Sequence, residues 1–565
     1  MTYKQNQSHY FTMSLQTKKK QPSLSKRKRF VFNAMLFCMP FIFLLIIELF
    51  LRLFNYGDNL SLFIDFPVEE FKDYRIVNQK IGKKYFQIIP YTEPVHDKFL
   101  KKKRENGYRV FVMGSSTVYG FPYTENLVFS RILQKRFQDA YPEKYMEIIN
   151  TAITAINSYT LLDFVDEILD EEPDAILFYA GHNEFYGAFG IGSIEKSNTQ
   201  RIFTFIHLEL LSLKIYQFLN NQIANIRVSI SADKSEKSVK GTLMRHIAEN
   251  REIPYKSEIY EEAMKIFERN LDDIISKLRK KGVPLFISEV ISNVKDLEPF
   301  CSVDHTKYPS SISIYDKSKT KEKDGNFKDA KSEYYQAKDL DCIRFRASEE
   351  VNDIIRALAD KHDVNLVPMV SYFEGASPNE LIGNNLLTEH VHPNIEGNFI
   401  MADAFYKELT ASELIGKKLN PILEKSSSYY RLNWGYTKLD SILGVHKVNN
   451  LRSYWPFQSL DNPISLDHRD TCKPRSFIDS LSFEVFKSGT IGINDAHLVL
   501  ADRYKKNGDY FKAFKEYYAT ISYFPYRVKD YLEAGTCLMQ IKDYNLAFEL
   551  FTKSLEIRGN LLRVS

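Results

Sequence analysis

Cysteine is scarce in this sequence. The 565 residues hold five, Cys38, Cys301, Cys342, Cys472 and Cys537, and no CxxC pair occurs among them. An odd, dispersed set predicts neither a disulfide framework nor a zinc site. An excess of one charge is lacking too. The formal net charge is +4, which argues against a dedicated nucleic-acid binder. No metal or other cofactor is expected. Apolar and charged contents are those of a globular protein, and the length exceeds what one core supports, so several domains are expected.

The charge is unevenly placed. Lys18-Lys19-Lys20 and Lys26-Arg27-Lys28-Arg29 precede the run "FVFNAMLFCMPFIFLLIIELFLRLF". From Phe30 to Ile47 that run carries no charge, about the length that spans a bilayer. Glu48 and Arg52, four apart, fall where it would leave the hydrocarbon and are placed to pair. The basic flank predicts a cytoplasmic tail (1–29) and one membrane anchor (30–53), with the rest beyond an inner membrane, in the periplasm or cell exterior. A cleaved signal peptide fits less well, because "ELFLRLFNYG" offers no small-x-small cleavage site.

Residues 54–106 read as a stalk. From 107 to 412, strands alternate with helices. "YRVFVMG", "MEIINTAI", "PDAILFYAG", "VPLFISEVIS" and "VNLVPMV" are short apolar strands. "NLVFSRILQKRFQDAY", "SYTLLDFVDEILD" and "EIYEEAMKIFERNLDDIISKLRKKG" are amphipathic helices, and "PNIEGNFIMADAFYKEL" closes the domain with Pro393 as its first helical residue. Such alternation predicts an α/β fold, a parallel sheet covered on both faces. Residues 191–255 read as a partly helical, partly polar insertion. Residues 413–490 read as an irregular connector carrying both tryptophans, Trp434 and Trp455. At 491–565, "ADRYKKNGDYFKAFKEYY" is answered 34 residues later by "GTCLMQIKDYNLAFELFT". Tyr510 matches Tyr544, Ala513 matches Ala547, Phe514 matches Phe548 and Tyr517 matches Phe551, a tetratricopeptide-like period. So short an array buries little alone and predicts docking on another part of the chain or on a protein partner.

Ligands of an open parallel sheet bind beyond the carboxyl ends of its strands. The first strand ends in Gly114-Ser115-Ser116-Thr117, the second in Asn150-Thr151-Ala152, and the third in "GHNEFYG" from Gly181. A serine attacks only when a base takes its proton. The first turn is not a G-x-S-x-G elbow, since Val118 stands two past Ser116, so alone it reads as turn filler. His392 is the candidate base, expected at the N-cap of the last helix, with Glu389 three residues earlier to orient its ring. His390 competes locally. Asn183 offers an amide to an oxyanion. His182, Glu184, His390 and His392 match no metal-ligand spacing. In "DLDCIRFRASEE", Arg344 and Arg346 read either as a surface ion-pair face or as a grip on an anionic substrate, and His182 and Glu184 are further substrate-binding candidates.

In order, these stretches resemble the blocks of the SGNH, or GDSL-like, hydrolase family. "GSST" resembles the first, with Ser116 as nucleophile and Ser115 where the family name has Asp. "NTAITAINSY" resembles the second, with Ala152 where the oxyanion glycine stands. "GHNE" resembles the third, giving Asn183, and "EHVHP" the last, giving Glu389 and His392, with Glu in place of Asp. The resemblance implies a flavodoxin-like three-layer α/β/α domain and a Ser-His-Glu triad. The N–H groups of Ser116 and Ala152 and the Asn183 amide would then form the oxyanion hole. The implied activity is cleavage or transfer of an ester-linked acyl group on a cell-envelope glycan or lipid. The alternative is a membrane-bound scaffold whose hydrolase-like domain only binds.

Overall fold

A computed structural model describes residues 25–564, apart from 88, 90, 124, 195–200, 233–241, 249–251, 304–306, 417–423 and 460–466. Most of the basic tail therefore lies outside the described residues. The chain divides into two compact units, residues 1–57 with 213–219, and the remainder.

In the smaller unit one helix, Lys26–Leu53, starts inside the basic flank, with Ser25 as its N-cap. Its most apolar stretch has a mean hydropathy of 2.6, and it is long and apolar enough to cross a membrane. Glu48 and Arg52 do pair, at 2.7 Å. The Glu48 carboxylate also accepts the N–H groups of Lys214 and Ile215 at 3.1 and 2.8 Å. These are the first two amides of the helix Lys214–Ala232, which have no partner within that helix.

The larger unit is built on two sheets. Strands β1 (Phe63–Asp65), β2 (Tyr74–Val77) and β3 (Lys98–Leu100) form a small antiparallel sheet. Strands β4 (Gly107–Gly114), β5 (Tyr145–Asn150), β6 (Ala175–Tyr179), β7 (Leu285–Ser288) and β8 (Asn365–Val367) form a parallel sheet in the order β5-β4-β6-β7-β8. This is the flavodoxin-like order. Val112 lies opposite Asn150 on one side and Leu177 on the other. Helices Phe129–Ala140 and Ile395–Ala411 pack together over one face. Ser158–Leu169, Glu258–Lys280 and Glu349–His362 cover the other. With helices on both sides, β4 to β7 bury nearly every residue, which is why they read as continuous apolar runs.

From Asp58 on, the segment read as a stalk is part of this unit. Phe63 and Phe99 pack edge to face and both meet Phe111 of β4. Buried Arg109 joins the two sheets. Its Nε donates to Glu147 at 2.9 Å and its Nη2 to the Leu100 carbonyl at 2.6 Å, while Glu147 accepts Leu100 N–H at 2.9 Å. Strands of three or four residues carry too little alternation to be read from sequence, and an Arg inside an apolar strand conceals its role as a staple. The insertion after β6 is helical at Arg201–Leu210 and Lys214–Ala232, and Ile202, Phe203, Ile206, Ile223 and Ile226 are exposed on it.

The described residues of 413–490 are largely helical rather than irregular. They contain helices Ser427–Asn433, Lys438–Arg452, His468–Thr471 and Phe477–Lys487. Four further helices follow, Ile493–Lys506, Tyr510–Tyr523, Val528–Gln540 and Tyr544–Val564, each packed on the one before. Tyr510 and Tyr544 open matching helices, and Ala513 and Ala547 are both fully buried. Phe514 is 5 % exposed and Phe548 72 %. The cysteines also depart from expectation, since Cys301 and Cys342 are joined by a disulfide.

One buried ion cluster ties the C-terminal helices to the connector. His497 sits between Glu516, 2.7 Å from Nδ1, and Asp440, 3.3 Å from Nε2. Burial alone would lower its pKa, but the two carboxylates overcome this and raise it to about 9. A histidine raised in the fold stabilises fully below its unfolded pKa of about 6.5, and the gain is lost as pH rises through the folded value. The thermal midpoint is therefore expected to fall between pH 7 and 10, by on the order of 2 kcal/mol of stability. His497→Gln should be less stable at pH 7 and show a flatter profile. Parallel melting profiles for the two proteins would contradict this role.

Candidate active site

The site forms where β4 and β6 end, at the point where strand order reverses, the usual ligand crevice of such sheets. After β4 the backbone turns at Gly114, where a Cβ would lie 2.2 Å from Val118 Cγ2 and 2.5 Å from the Tyr179 carbonyl oxygen. Only glycine fits that approach. A single helical turn, Ser116–Tyr119, follows and ends at Gly120 with φ of 96°. Asn150, fully buried at the end of β5, donates from Nδ2 to the Val118 carbonyl at 2.6 Å. That bond holds the turn carrying Ser116.

The opposite wall is the loop 388–392. Thr388 N–H bonds the His392 carbonyl at 2.8 Å and closes it. Glu389, 0 % exposed, folds its carboxylate back into the loop. One oxygen accepts the His390 N–H at 2.6 Å, and the other accepts the His392 N–H at 3.0 Å and contacts His392 Nδ1. The methylene by which Glu exceeds Asp is taken up inside this turn. On the far side of the ring, His392 Nε2 lies 2.7 Å from Ser116 Oγ. Burial pushes the His392 pKa down to about 3, so the ring is neutral and able to accept a proton. Phe121 covers it at 4.7 Å between centroids. His392 is not a helix cap. Asn394 caps the helix that begins at Ile395, accepting Gly397 N–H, and Pro393 precedes the helix.

Ser116, His392 and Glu389 are thus brought into one hydrogen-bonded line. Asn183 joins them through its amide, donating to Ser115 Oγ at 2.7 Å and to the Ile156 carbonyl at 3.1 Å. Ala152 does not fit as an oxyanion donor. It is fully buried and its N–H is given to Asn150 Oδ1 at 2.9 Å. Three residues on, Ala155 has φ of 59° and is partly exposed, and the next peptide carbonyl, that of Ile156, accepts from Asn183. A left-handed residue is where glycine is favoured, and Ala155 rather than Ala152 holds such a position here. "NTAITAIN" carries an alanine at both places, and backbone sign is not written in residue type.

The remaining candidates are buried and bonded to neighbouring elements. His182 is buried and accepts Ala347 N–H on Nδ1 at 3.2 Å. Burial, with a smaller contribution from His392, lowers its pKa to about 3. Glu184 accepts the N–H and hydroxyl of Ser158 at 3.1 and 2.6 Å, and burial raises it to about 7. Arg344 and Arg346 form neither a surface face nor an anion grip, being 1 % and 3 % exposed. Arg344 Nε donates to the Ile253 carbonyl at 2.8 Å. Arg346 donates to the carbonyls of Asn293 and Leu297 and pairs with Asp341 at 3.0 Å. Their stretch, with Cys342, is a buried hub. His390 also touches Glu389, on the oxygen away from His392 Nδ1. Glu389, His390 and His392 lie close enough to hold a metal. The N–H groups on both carboxylate oxygens and the serine on Nε2 fit a proton relay better.

Arg452, from the connector, donates to the Thr388 carbonyl at 2.7 Å, and Phe457 packs on His390. Nothing in the local sequence around either residue pointed to the site.

No protein-family model and no curated protein matches the sequence. Among solved structures, the chain is similar to a GDSL-like lipase from Bacteroides thetaiotaomicron, with 11 % identity and a TM-score of 0.28 over 56 % of this chain and 93 % of that one. It is also similar to a lipase/acylhydrolase from Enterococcus faecalis, with 10 % identity and a TM-score of 0.28 over 54 % and 96 %. A third likeness is to an acetyl xylan esterase, with 14 % identity and a TM-score of 0.28 over 53 % and 98 %.

Proposed function

We propose that this chain is a membrane-anchored serine hydrolase of SGNH type that cleaves or transfers an ester-linked acyl group. The observation that carries the reading is the line from Ser116 Oγ through His392 to Glu389, at 2.7 Å from serine to imidazole and at the reversal point of the sheet. Ser116 attacks the ester carbonyl as His392 Nε2 takes its proton. Glu389, fixed by two backbone N–H groups, stabilises the imidazolium that forms. His392 then gives the proton to the leaving alcohol, and water or an acceptor hydroxyl releases the acyl group. For the tetrahedral oxyanion, the Ser116 and Ala155 N–H groups and the Asn183 amide are the donors. Asn183 gives one hydrogen to Ile156, which fixes the amide. The other, given to Ser115 Oγ, is the one an oxyanion claims.

The N-terminal helix supports attachment to a membrane, and the Cys301–Cys342 disulfide supports an oxidising compartment. Together they favour an ester on a cell-envelope glycan or lipid as substrate. The last helices, which we read as tetratricopeptide-like, expose Phe511, Tyr544, Phe548 and Leu555, in keeping with a protein partner there.

A fluorophosphonate probe is expected to label the wild type and not Ser116→Ala, and the same change should lower ester cleavage by about 10³-fold or more. A well-folded wild type that neither labels nor cleaves any of a panel of short acyl, long acyl and acetylated-polysaccharide esters would overturn the proposal.

The pH profile is a second check. A base must be neutral to act, so kcat/KM falls as pH drops through its pKa. With His392 lowered to about 3, nearly full kcat/KM is expected at pH 5. An acid limb centred near the ordinary histidine value of about 6.5 would contradict the buried base.

Ala155→Gly should keep activity and be neutral or stabilising by up to about 1 kcal/mol, since it relieves a left-handed residue. Ala152→Gly should only destabilise. Thermal melts and kinetics of the two variants separate the assignments.

A further inference from the structure

A second cluster of ligating side chains lies in the connector, on elements apart from the turns and loop that carry Ser116, Asn183 and His392. We infer that His446, His468 and Cys472 form a zinc site, with Asp479 as its outer partner. His446 comes from the helix Lys438–Arg452. His468 opens the short helix His468–Thr471, and Cys472 follows its last residue. His446 Nδ1 lies 3.0 Å from His468 Nε2 and 3.9 Å from Cys472 Sγ, and the three ligand atoms are all within 4.8 Å of one another.

The geometry suits one ion. With Zn–N near 2.0 Å and Zn–S near 2.3 Å, tetrahedral ligand atoms stand about 3.3–3.6 Å apart, between the two spacings seen. Two imidazole nitrogens facing each other share one proton at most, whereas a cation between them uses both lone pairs. Two imidazoles with a thiolate suit zinc.

The surroundings complete the case. Asp479, on the helix Phe477–Lys487, sets Oδ1 3.0 Å from the other ring nitrogen, His446 Nε2. Its Oδ2 is held by the Arg475 N–H at 2.7 Å. A carboxylate behind a ligating histidine is the recurrent outer shell of zinc sites, and Nδ1 is the ring atom that faces His468 and Cys472. Phe483 and Phe486 pack against both imidazoles. The ion would join three helices. The first of them ends at Arg452, which bonds the carbonyl beside Glu389. The role is therefore structural, holding the connector against the triad loop, with water in the fourth position. Cys472 gives up its thiol proton on binding.

The test uses the full chain in detergent, stripped with a chelator, with folding of each variant checked by circular dichroism. Zinc titrated against a chromogenic chelator is expected to bind at about one per chain and to raise the melting temperature. His468→Ala and Cys472→Ser should each weaken binding by at least about tenfold and lose the thermal gain. Cobalt in place of zinc should give a thiolate-to-metal charge-transfer band that Cys472→Ser lacks. Two results would overturn the site. In one, the stripped wild type takes up no zinc. In the other, both variants bind it as the wild type does, which would assign the ion to Glu389, His390 and His392 instead.

Discussion

The structure turns on one carboxylate held at zero exposure. Glu389 is shut off from bulk solvent, and a bare buried carboxylate costs several kcal/mol. Its own loop supplies the compensation, with two backbone N–H groups and the His392 ring around two oxygens. Those bonds also determine what His392 can do. With Nδ1 tied to Glu389, Nε2 is the only ring nitrogen left for Ser116, so tautomer and aim are set by the same contacts. The loop stays in place because other elements press on it. Asn293 N–H bonds the His390 carbonyl at 2.9 Å, and Arg452 bonds the Thr388 carbonyl. The parallel sheet supplies the opposite half, with Gly114 and Asn150 fixing the turn of Ser116. The relay is therefore a property of two rigid walls rather than of one mobile loop.

Much of this was legible in the sequence because the physics behind it is local or periodic. Strands covered on both faces must be apolar throughout, and "RVFVM" and "AILFY" say so. The Ser116 turn and "GHNE" could be found because they sit at strand ends, where an open sheet binds ligands, and Glu389-x-x-His392 because it stands just before the last helix of the domain. What was missed depended on distant partners or on backbone sign. Arg109 reads as a charge in a strand, and only the fold supplies Glu147 and the Leu100 carbonyl. Arg344 and Arg346 read as a polar stripe, while the fold buries them against carbonyls. Ala152 and Ala155 are the same residue type, and only φ tells them apart. The disulfide joins cysteines 41 apart in sequence, a spacing that carries no signal.

The connector shows how composition misleads in the other direction. Serine and proline clusters between 413 and 490 suggested irregular chain, yet serines at helix starts act as caps. Ser426 accepts Tyr429 N–H and Ser476 accepts Asp479 N–H, and Thr437 with Asp440 forms a capping box. The residues that looked like breakers begin helices there. The connector also packs on the 388–392 loop, through Arg452 and Phe457, and so belongs physically with the α/β domain.

His392, His497 and His446 each stand beside carboxylate, and the differences follow from what else surrounds the ring and the carboxylate. At His392, one carboxylate is present, and backbone N–H groups already draw on both of its oxygens. Burial lowers the pKa of the ring to about 3, and the ring stays neutral. At His497, two carboxylates flank the ring, one on each nitrogen, and their combined pull exceeds the desolvation cost, so the ring is cationic at neutral pH. At His446, Asp479 sits behind the ring while His468 and Cys472 face its front. A carboxylate there cannot orient a proton relay, because no hydroxyl lies beyond. Two more lone-pair donors do, and a metal ion is the partner such an arrangement accommodates. One residue pairing thus supports a base, a structural cation and a ligand set. The choice among them is made by the count of competing donors around the carboxylate and by what stands on the far side of the ring.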